Sequence, residues 1–446
     1  MSRLSGRFVP DPFVLALVLT GLVGFLGAVN LVVAAAPPDK GVLVTLLLGW
    51  FGGFSGGGGL AFALQMCLVL VTGHALATSP PLQTVVEKLA RIPRSAGGAA
   101  AMVAMAATIS GVIHWGLGAI VGALLAREVG RAAARQRIHL HYPLLGAAAY
   151  TGLAVWHGGL SGSAPLKVAE ANHFAASLIG VVPLSATLFG PLNLVVTGVL
   201  LVVIPLLCWV MAPRDPRDMT PFSQDEPEPS SQRSPAFEPG AVAAFQNSGF
   251  VGAVLGGGSL ALTIAGIASD TIPFDLNSVN LLFLFAGLMM QGSLSRYVAA
   301  ITEGAKGAGG IILQFPFYFG ILGLMKAGGL IQTFSQAMAD ASTRALFPVV
   351  AFLSAGFVNL FVPSGGGQWA VQGEILLQAG QKLGVPPEVT IMAFSYGDAW
   401  TNMLQPFWAL PLLGIMGLKA KDIIGYTGVV FLVMGVLVPC LLLALG

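Results

Sequence analysis

Apolar runs recur along this chain at the length of a bilayer crossing, and no other property limits its possible folds so tightly. A helix rises about 1.5 Å per residue, so about 20 apolar residues span a hydrocarbon layer of about 30 Å. Runs of that order fall at 13–36, 58–78, 97–126, 175–211, 243–268, 277–294, 305–327, 388–417 and 423–445. The stretches 97–126 and 175–211 are long enough to be tilted, broken or doubled, which puts the count at about nine to eleven crossings. Inside a bilayer every backbone polar group must be satisfied locally, so such segments are read as helices, and the fold class as an all-α polytopic membrane protein. Charged residues make up 9% of the chain, against roughly a quarter in soluble domains.

The formal charge of +2 gives no reason to expect a nucleic-acid partner. Cys67, Cys208 and Cys440 are scattered through apolar stretches, so neither a disulfide framework nor a metal cluster is indicated. Arg3 and Arg7 precede the first run, which ends in Ala34-Ala35-Ala36. That run is far longer than the roughly 7–15 residues of a signal-peptide core, so it is read as the first span.

Between 212 and 240 the composition changes to Pro, Ser and charge without apolar periodicity, which reads as a linker. It separates an N-terminal half, 1–211, from a C-terminal half, 241–446. The halves share a layout. Tyr142-Pro143 opens an apolar stretch that reaches Trp156-His-Gly-Gly-Leu-Ser-Gly-Ser-Ala-Pro165, and Phe347-Pro348 opens one that reaches Phe361-Val-Pro-Ser-Gly-Gly-Gly-Gln368. Each stretch is roughly 13 to 15 residues, too short to span, which suits a re-entrant hairpin near 143–172 and another near 348–378. A second interrupted segment follows each: Gly190-Pro-Leu-Asn193 in the first half, and Tyr396-Gly-Asp-Ala-Trp-Thr-Asn402 with Pro406 in the second. Paired broken segments at matching places in two halves point to a midplane transport site between related, inverted repeats. Close-packing glycines are the competing explanation, and the polar residues at the breaks weigh against it. The basic segments around Lys88, Arg91 and Arg94 and around Arg127, Arg131, Arg135 and Arg137 should both face the cytoplasm. A single pass at 97–126 cannot satisfy both, and orientation stays open on the sequence alone.

Broken helices leave N–H groups and about +0.5 charge at a half-helix N-terminus, a setting for a carboxylate. Candidate substrate-binding residues are therefore His157, Ser161, Gly162, Ser163, Ser364, Gly365, Gly366, Gly367, Thr401 and Asn402. Asp398 is an acid in an apolar segment, which makes it the candidate coupling residue, with Thr401 and Asn402 beside it. It could take up a proton or, with Asn402, help to hold a sodium ion; capping of a half-helix is the plainer explanation. His157 could donate to the carboxylate or carry a proton, whereas His74 and His114 read as structural. Trp156, Trp369, Trp400 and Phe407 could wall an acyl tail. No Arg lies in either Gly-rich cluster, which favours a single carboxylate over a dicarboxylate. Gly159-Leu-Ser161-Gly162 matches the nucleophile motif of rhomboid proteases, yet no His follows His173 to act as its base. No zinc or phosphate-loop motif occurs, so an enzyme is not expected.

The segments Gln65-Met-Cys-Leu-Val-Leu-Val-Thr-Gly-His-Ala-Leu76, 156–165, Gly310-Ile-Ile-Leu-Gln-Phe-Pro-Phe-Tyr318, 359–373 and 396–411 resemble the short-chain fatty acid transporter family. The resemblance covers nearly the whole chain outside the linker. It implies a bacterial inner-membrane protein that moves butyrate, acetoacetate and similar monocarboxylates. More distantly the layout is similar to the ion transporter superfamily, which implies a scaffold, a mobile domain bearing both hairpins, elevator-type movement and usually a dimer. The Ser-Asn-Thr tip of the superfamily's sodium-coupled dicarboxylate members is replaced here by Ser-Gly-Ser and Ser-Gly-Gly-Gly. The expectation is a symporter using H+ or Na+, with a lipid bilayer and a second copy as partners and no bound cofactor. The alternatives are a passive anion channel or a carrier of another organic anion.

Overall fold

The computed structural model describes residues 12–33, 39–55, 59–222, 240–360, 362, 364–405 and 408–446. Arg3, Arg7, the 34–36 alanines, the middle of the linker (223–239), Pro363, Pro406 and Phe407 lie outside the described residues. Every regular element among the described residues is helical. The first half contains α1 (Pro12–Val33), α2 (Val42–Ser55), α3 (Gly59–Ala77), α4 (Pro80–Leu89), α5 (Ala96–Ile113), α6 (Trp115–Gln136), α7 (Tyr142–Tyr150), α8 (Ser163–Val168), α9 (Ala176–Ile179) and α10 (Pro191–Val210). The second contains α11 (Ala241–Asn247), α12 (Gly249–Ala268), α13 (Leu276–Gln291), α14 (Leu294–Ala305), α15 (Gly309–Ala327), α16 (Leu330–Asp340), α17 (Phe347–Asn359), α18 (Gly365–Lys382), α19 (Pro387–Asn402), α20 (Leu410–Met416) and α21 (Ala420–Leu445).

Among the described residues, seven segments are long and apolar enough to cross a membrane: 16–33, 42–77 (which takes in α2 and α3), 96–113, 191–210, 249–268, 294–327 and 420–445. The count falls below nine because several apolar runs are interrupted. The 388–417 run divides into α19 and the short α20, and the 277–294 run yields a helix of only 16 residues. The 175–211 run begins with the four-residue α9 and an irregular stretch, and a long helix starts only where Pro191 occupies the first turn. Val42–Ser55, absent from the sequence-based spans, is also an apolar helix.

Exposure sorts the helices. α1, α12 and α21 turn Val18, Phe25, Phe250, Leu262, Leu432 and Val436 outward, as lipid-facing helices must. By contrast α8, α18 and α19 bury Ser163, Lys167, Gln368, Gln372, Asp398, Thr401 and Asn402. Charged and amide side chains inside an apolar assembly are costly unless partnered.

The 97–126 run is doubled. α5 ends at Ile113, His114 is extended, and α6 begins at Trp115. Gly118 lies against the Gly111 backbone, where an added Cβ would come within 2.7 Å of its Cα. Further along, a Cβ on Gly122 would meet Ala107 at 3.1 Å, so the two helices run antiparallel through a glycine seam. Arg94 and Arg137 consequently line one groove together with Arg214. The two basic segments thus share a face, and the conflict over orientation disappears.

Candidate transport site

Two chain breaks meet at the site. In the first, α7 runs on through short 3-10 turns to Gly158, and α8 starts at Ser163. Glycine is required between them, because a Cβ on Gly159 would stand 2.1 Å from the Val112 carbonyl and one on Gly162 would stand 2.3 Å from the His157 carbonyl. The Leu160 N–H donates to the same Val112 carbonyl at 2.7 Å. In the second, α17 ends at Asn359 and α18 begins at Gly365. The two helices lie side by side: Gln368 Nε2 donates to the Ala355 carbonyl at 2.7 Å and Gln372 Nε2 to Ser354 Oγ at 2.8 Å. Ser364 caps α18 by accepting the Gly367 N–H.

The breaks face one cavity of about 40 Å³. Its polar wall is Ser163, Ser364, Gly365, Gly366 and Asn402; its apolar wall is Trp115, Trp156, Trp408, Leu153, Phe315, Met66 and Ile311. Asn402 Oδ1 accepts from Asn359, which leaves its amide nitrogen as a donor at the wall. The Ser364 hydroxyl accepts from Gly367 and keeps its own hydrogen to donate. The polar wall is therefore rich in neutral donors.

His157, Asp398 and Thr401 sit one layer behind. The Ala164 N–H donates to His157 Nε2 at 3.2 Å, so the ring proton resides on Nδ1, which donates to Asp398 Oδ1 at 2.9 Å. Both side chains are buried. The edge of the His157 ring lies under Gly365, where an added Cβ would come within 2.9 Å of Cε1. Asn359 Nδ2 donates to the Asp398 carbonyl (2.8 Å), Thr401 Oγ1 (2.9 Å) and Asn402 Oδ1 (2.9 Å). Gln405 Nε2 donates to the Asn359 carbonyl at 2.6 Å. Asp398 Oδ2, Asn359 Oδ1 and Gln405 Oε1 are buried without a hydrogen-bond partner among the described residues.

Other predicted residues lie elsewhere. Ser161 accepts the Trp115 N–H at 2.9 Å, and Gly367 fits beneath Tyr318. Trp369 packs on Phe394 and Phe174, and Trp400 on Phe352 and Phe431, all away from the cavity. His114 caps α6, its Nδ1 accepting from Gly116 at 3.0 Å. Sequence reasoning missed Asn359, Gln405, Trp115, Trp408 and Lys167. The last is a buried cation paired with Glu170 at 2.6 Å, and Gln65 ties that pair to Asn277 of α13. An amide flanking a Gly/Pro break, as at 359 and 405, was the signal available in the sequence.

A protein with this helical architecture and a donor-lined cavity between two chain breaks is a membrane transporter. The chain belongs to the short chain fatty acid transporter family, whose model matches residues 1–445. It is 35% identical to a candidate short-chain fatty acid transporter of Escherichia coli, across 98% of this chain and 96% of that one. It is 34% identical to its counterpart in Haemophilus influenzae, across 96% and 94%. The fold is also that of the Alcanivorax borkumensis YdaH transporter, with a TM-score of 0.60 at 17% identity over 97% of this chain and 98% of that one. Multiple spans and bacterial relatives place the protein in the bacterial inner membrane, as a transporter rather than an enzyme.

Proposed function

We propose that the protein is a secondary active transporter of short-chain fatty acids such as butyrate and acetoacetate, driven by a proton or sodium gradient. The observation that carries this reading is the amphipathic cavity, with donors from both breaks on one wall and tryptophans on the other. A monocarboxylate with a short tail is the complementary shape. α18 supplies the larger share of N-terminal N–H donors, since α8 is only six residues long and its Ala164 N–H is committed to His157. In this reading Ser163, Ser364, Gly365, Gly366 and Asn402 hold the carboxylate.

Asp398 carries the coupling. Its unpartnered Oδ2, close in the network to Asn359 and Gln405, suits a proton or a small cation bound by neutral oxygens. The halves 1–211 and 241–446 act as inverted repeats, each with a re-entrant hairpin, and the hairpins move as a unit against a scaffold in a homodimer. Two helix–break–helix units on a shared cavity support that arrangement.

The test is uptake of labelled butyrate into proteoliposomes under separate pH and sodium gradients. Accumulation driven by one of them, competed by acetoacetate and not by succinate, is expected. Equilibration indifferent to both would make the protein a passive pathway, and strong competition by succinate would make it a dicarboxylate carrier.

A further inference from the structure

We infer that Trp115 sets the length of acid the cavity accepts, and that Ser161 is the residue positioning it; this rests on the proposed carboxylate site. The rings are arranged in sequence from the polar tip. Trp156 lies against Gly365, whose added Cβ would come within 2.7 Å of the indole. Trp115 stands edge-on to Trp156 with centroids 6.4 Å apart, and edge-on to Trp408 at 5.5 Å. A tail extending from a carboxylate at the tip therefore meets Trp156 first and Trp115 next. The cavity is small, about 40 Å³, so the space beyond Trp156 is limited.

Trp115 is also held more firmly than a pocket wall requires. It is the first residue of α6, and its N–H is fixed by Ser161 Oγ at 2.9 Å. The following N–H groups, on Gly116 and Leu117, are fixed by His114 Nδ1. The His114 ring stacks on Trp115 at 6.2 Å and is wedged in turn against Phe283 at 4.6 Å. Closely packed surroundings resist displacement, so each added methylene of a longer acid must either displace this ring or find no space. Ser161, in the first break, thus acts on the tail end through Trp115 rather than on the carboxylate.

The experiment is competition of labelled butyrate uptake by unlabelled acids from acetate to octanoate, in proteoliposomes. In the wild type, competition should weaken sharply as the acid lengthens. Trp115→Ala should raise the potency of hexanoate relative to butyrate by about tenfold or more, the size of effect one or two methylenes have in a pocket. Trp115→Phe should shift it in the same direction but less. Ser161→Ala should produce a smaller shift of the same sign, and Ser161→Thr should restore the wild-type profile. Trp400→Phe, away from the cavity, should leave the profile unchanged. Wild-type chain-length profiles in Trp115→Phe and Trp115→Ala would overturn the inference, as would a folded Trp115→Phe protein that takes up no acid of any length. A wild type that ignores butyrate altogether would instead overturn the proposed function.

Discussion

The two breaks that meet at the cavity are built by opposite means. The first is closed mainly by backbone against backbone, with one side-chain amide, Asn193 Nδ2, donating to the Gly158 carbonyl at 2.8 Å. Gly159 lies on the Val112 carbonyl, Leu160 donates to the same carbonyl, and Gly162 sits on the His157 carbonyl. The second is closed by side-chain amides. The two Nδ2 hydrogens of Asn359 are shared among three acceptors, the Asp398 carbonyl, Thr401 Oγ1 and Asn402 Oδ1, and Gln405 donates to the Asn359 carbonyl. Backbone contacts made through glycine admit no alternative partner, whereas amides carry a second polar atom that must find one. At the second break those second atoms, Asn359 Oδ1 and Gln405 Oε1, are unsatisfied, as is Asp398 Oδ2. Buried unsatisfied acceptors are costly and persist where something else is meant to satisfy them. On the proposed function, the first break would hold its shape and the second would exchange partners.

The largest expected effect separates these roles. Asp398→Asn keeps the shape of the side chain and removes its charge, so the His157 contact survives in weakened form while coupling is lost. Gradient-driven accumulation of butyrate should fall by at least about tenfold, with the protein still folded. Full concentrative uptake by this variant would place coupling elsewhere. At the first break the corresponding change is Gly159→Ala, which forces a Cβ to within 2.1 Å of a backbone oxygen. No side chain there can rotate away, so about 3 kcal/mol of stability should be lost, read as a lower melting temperature in detergent. Gly366→Ala is its control at the second break. The atoms nearest the added Cβ would be the Phe62 and Phe315 ring edges, at 3.0 and 3.2 Å, which can shift where a backbone oxygen cannot, so the substitution should cost about 1 kcal/mol. Equal destabilisation by the two would erase the proposed difference between the breaks.

How far the site was legible follows the same division. The breaks themselves were visible, because Gly and Pro interrupt apolar runs at 159–165 and 363–367, and Asp398 stood out as a lone acid. Ser163, Ser364, Gly365, Gly366 and Asn402 do reach one cavity. Which layer each residue occupies was not legible. Ser161 and Ser163 are two apart, yet one faces Trp115 and the other the cavity, a choice set by the irregular turn at Gly159–Gly162 rather than by any period. The length of the 97–126 run allowed for doubling, but the position of the turn was not legible, because His114 caps α6 with its ring nitrogen, a role usually given to Ser, Thr, Asp or Asn. Trp115 and Trp408 came to the cavity through tertiary contacts between distant segments, which a local pattern does not encode.

A smaller effect tests the amide network directly. Asn359→Ala removes the single donor group shared by three acceptors, and should cost roughly 2 kcal/mol in melting experiments. If the second break exchanges partners, the driving cation should also be needed at higher concentration for half-maximal uptake. Lost stability with unchanged cation dependence would reduce Asn359 to a structural role.

The smallest effect lies at the start of α7, outside the membrane-spanning segments. His141 precedes α7, its Nδ1 accepting the Thr220 N–H at 3.0 Å and its Nε2 contacting the Tyr426 hydroxyl at 2.9 Å. Burial holds this imidazole below its ordinary value of 6.5, so it is neutral in the fold at neutral pH. The unfolded chain binds the proton first as pH falls through that ordinary value. The stability His141 contributes is therefore complete above it, and declines on acidification until the folded imidazole also protonates. Thr220 and Tyr142 form part of the same anchor, through the Tyr142 N–H to the Thr220 carbonyl at 2.8 Å. His141→Asn can still accept from Thr220 but cannot titrate. Its melting temperature should fall less than that of the wild type between about pH 7.5 and about pH 5.5, a range that brackets the ordinary imidazole pKa. Identical pH profiles would show that α7, which leads into the first break, is not anchored through this imidazole, and would leave the rigidity of that break to the glycine contacts.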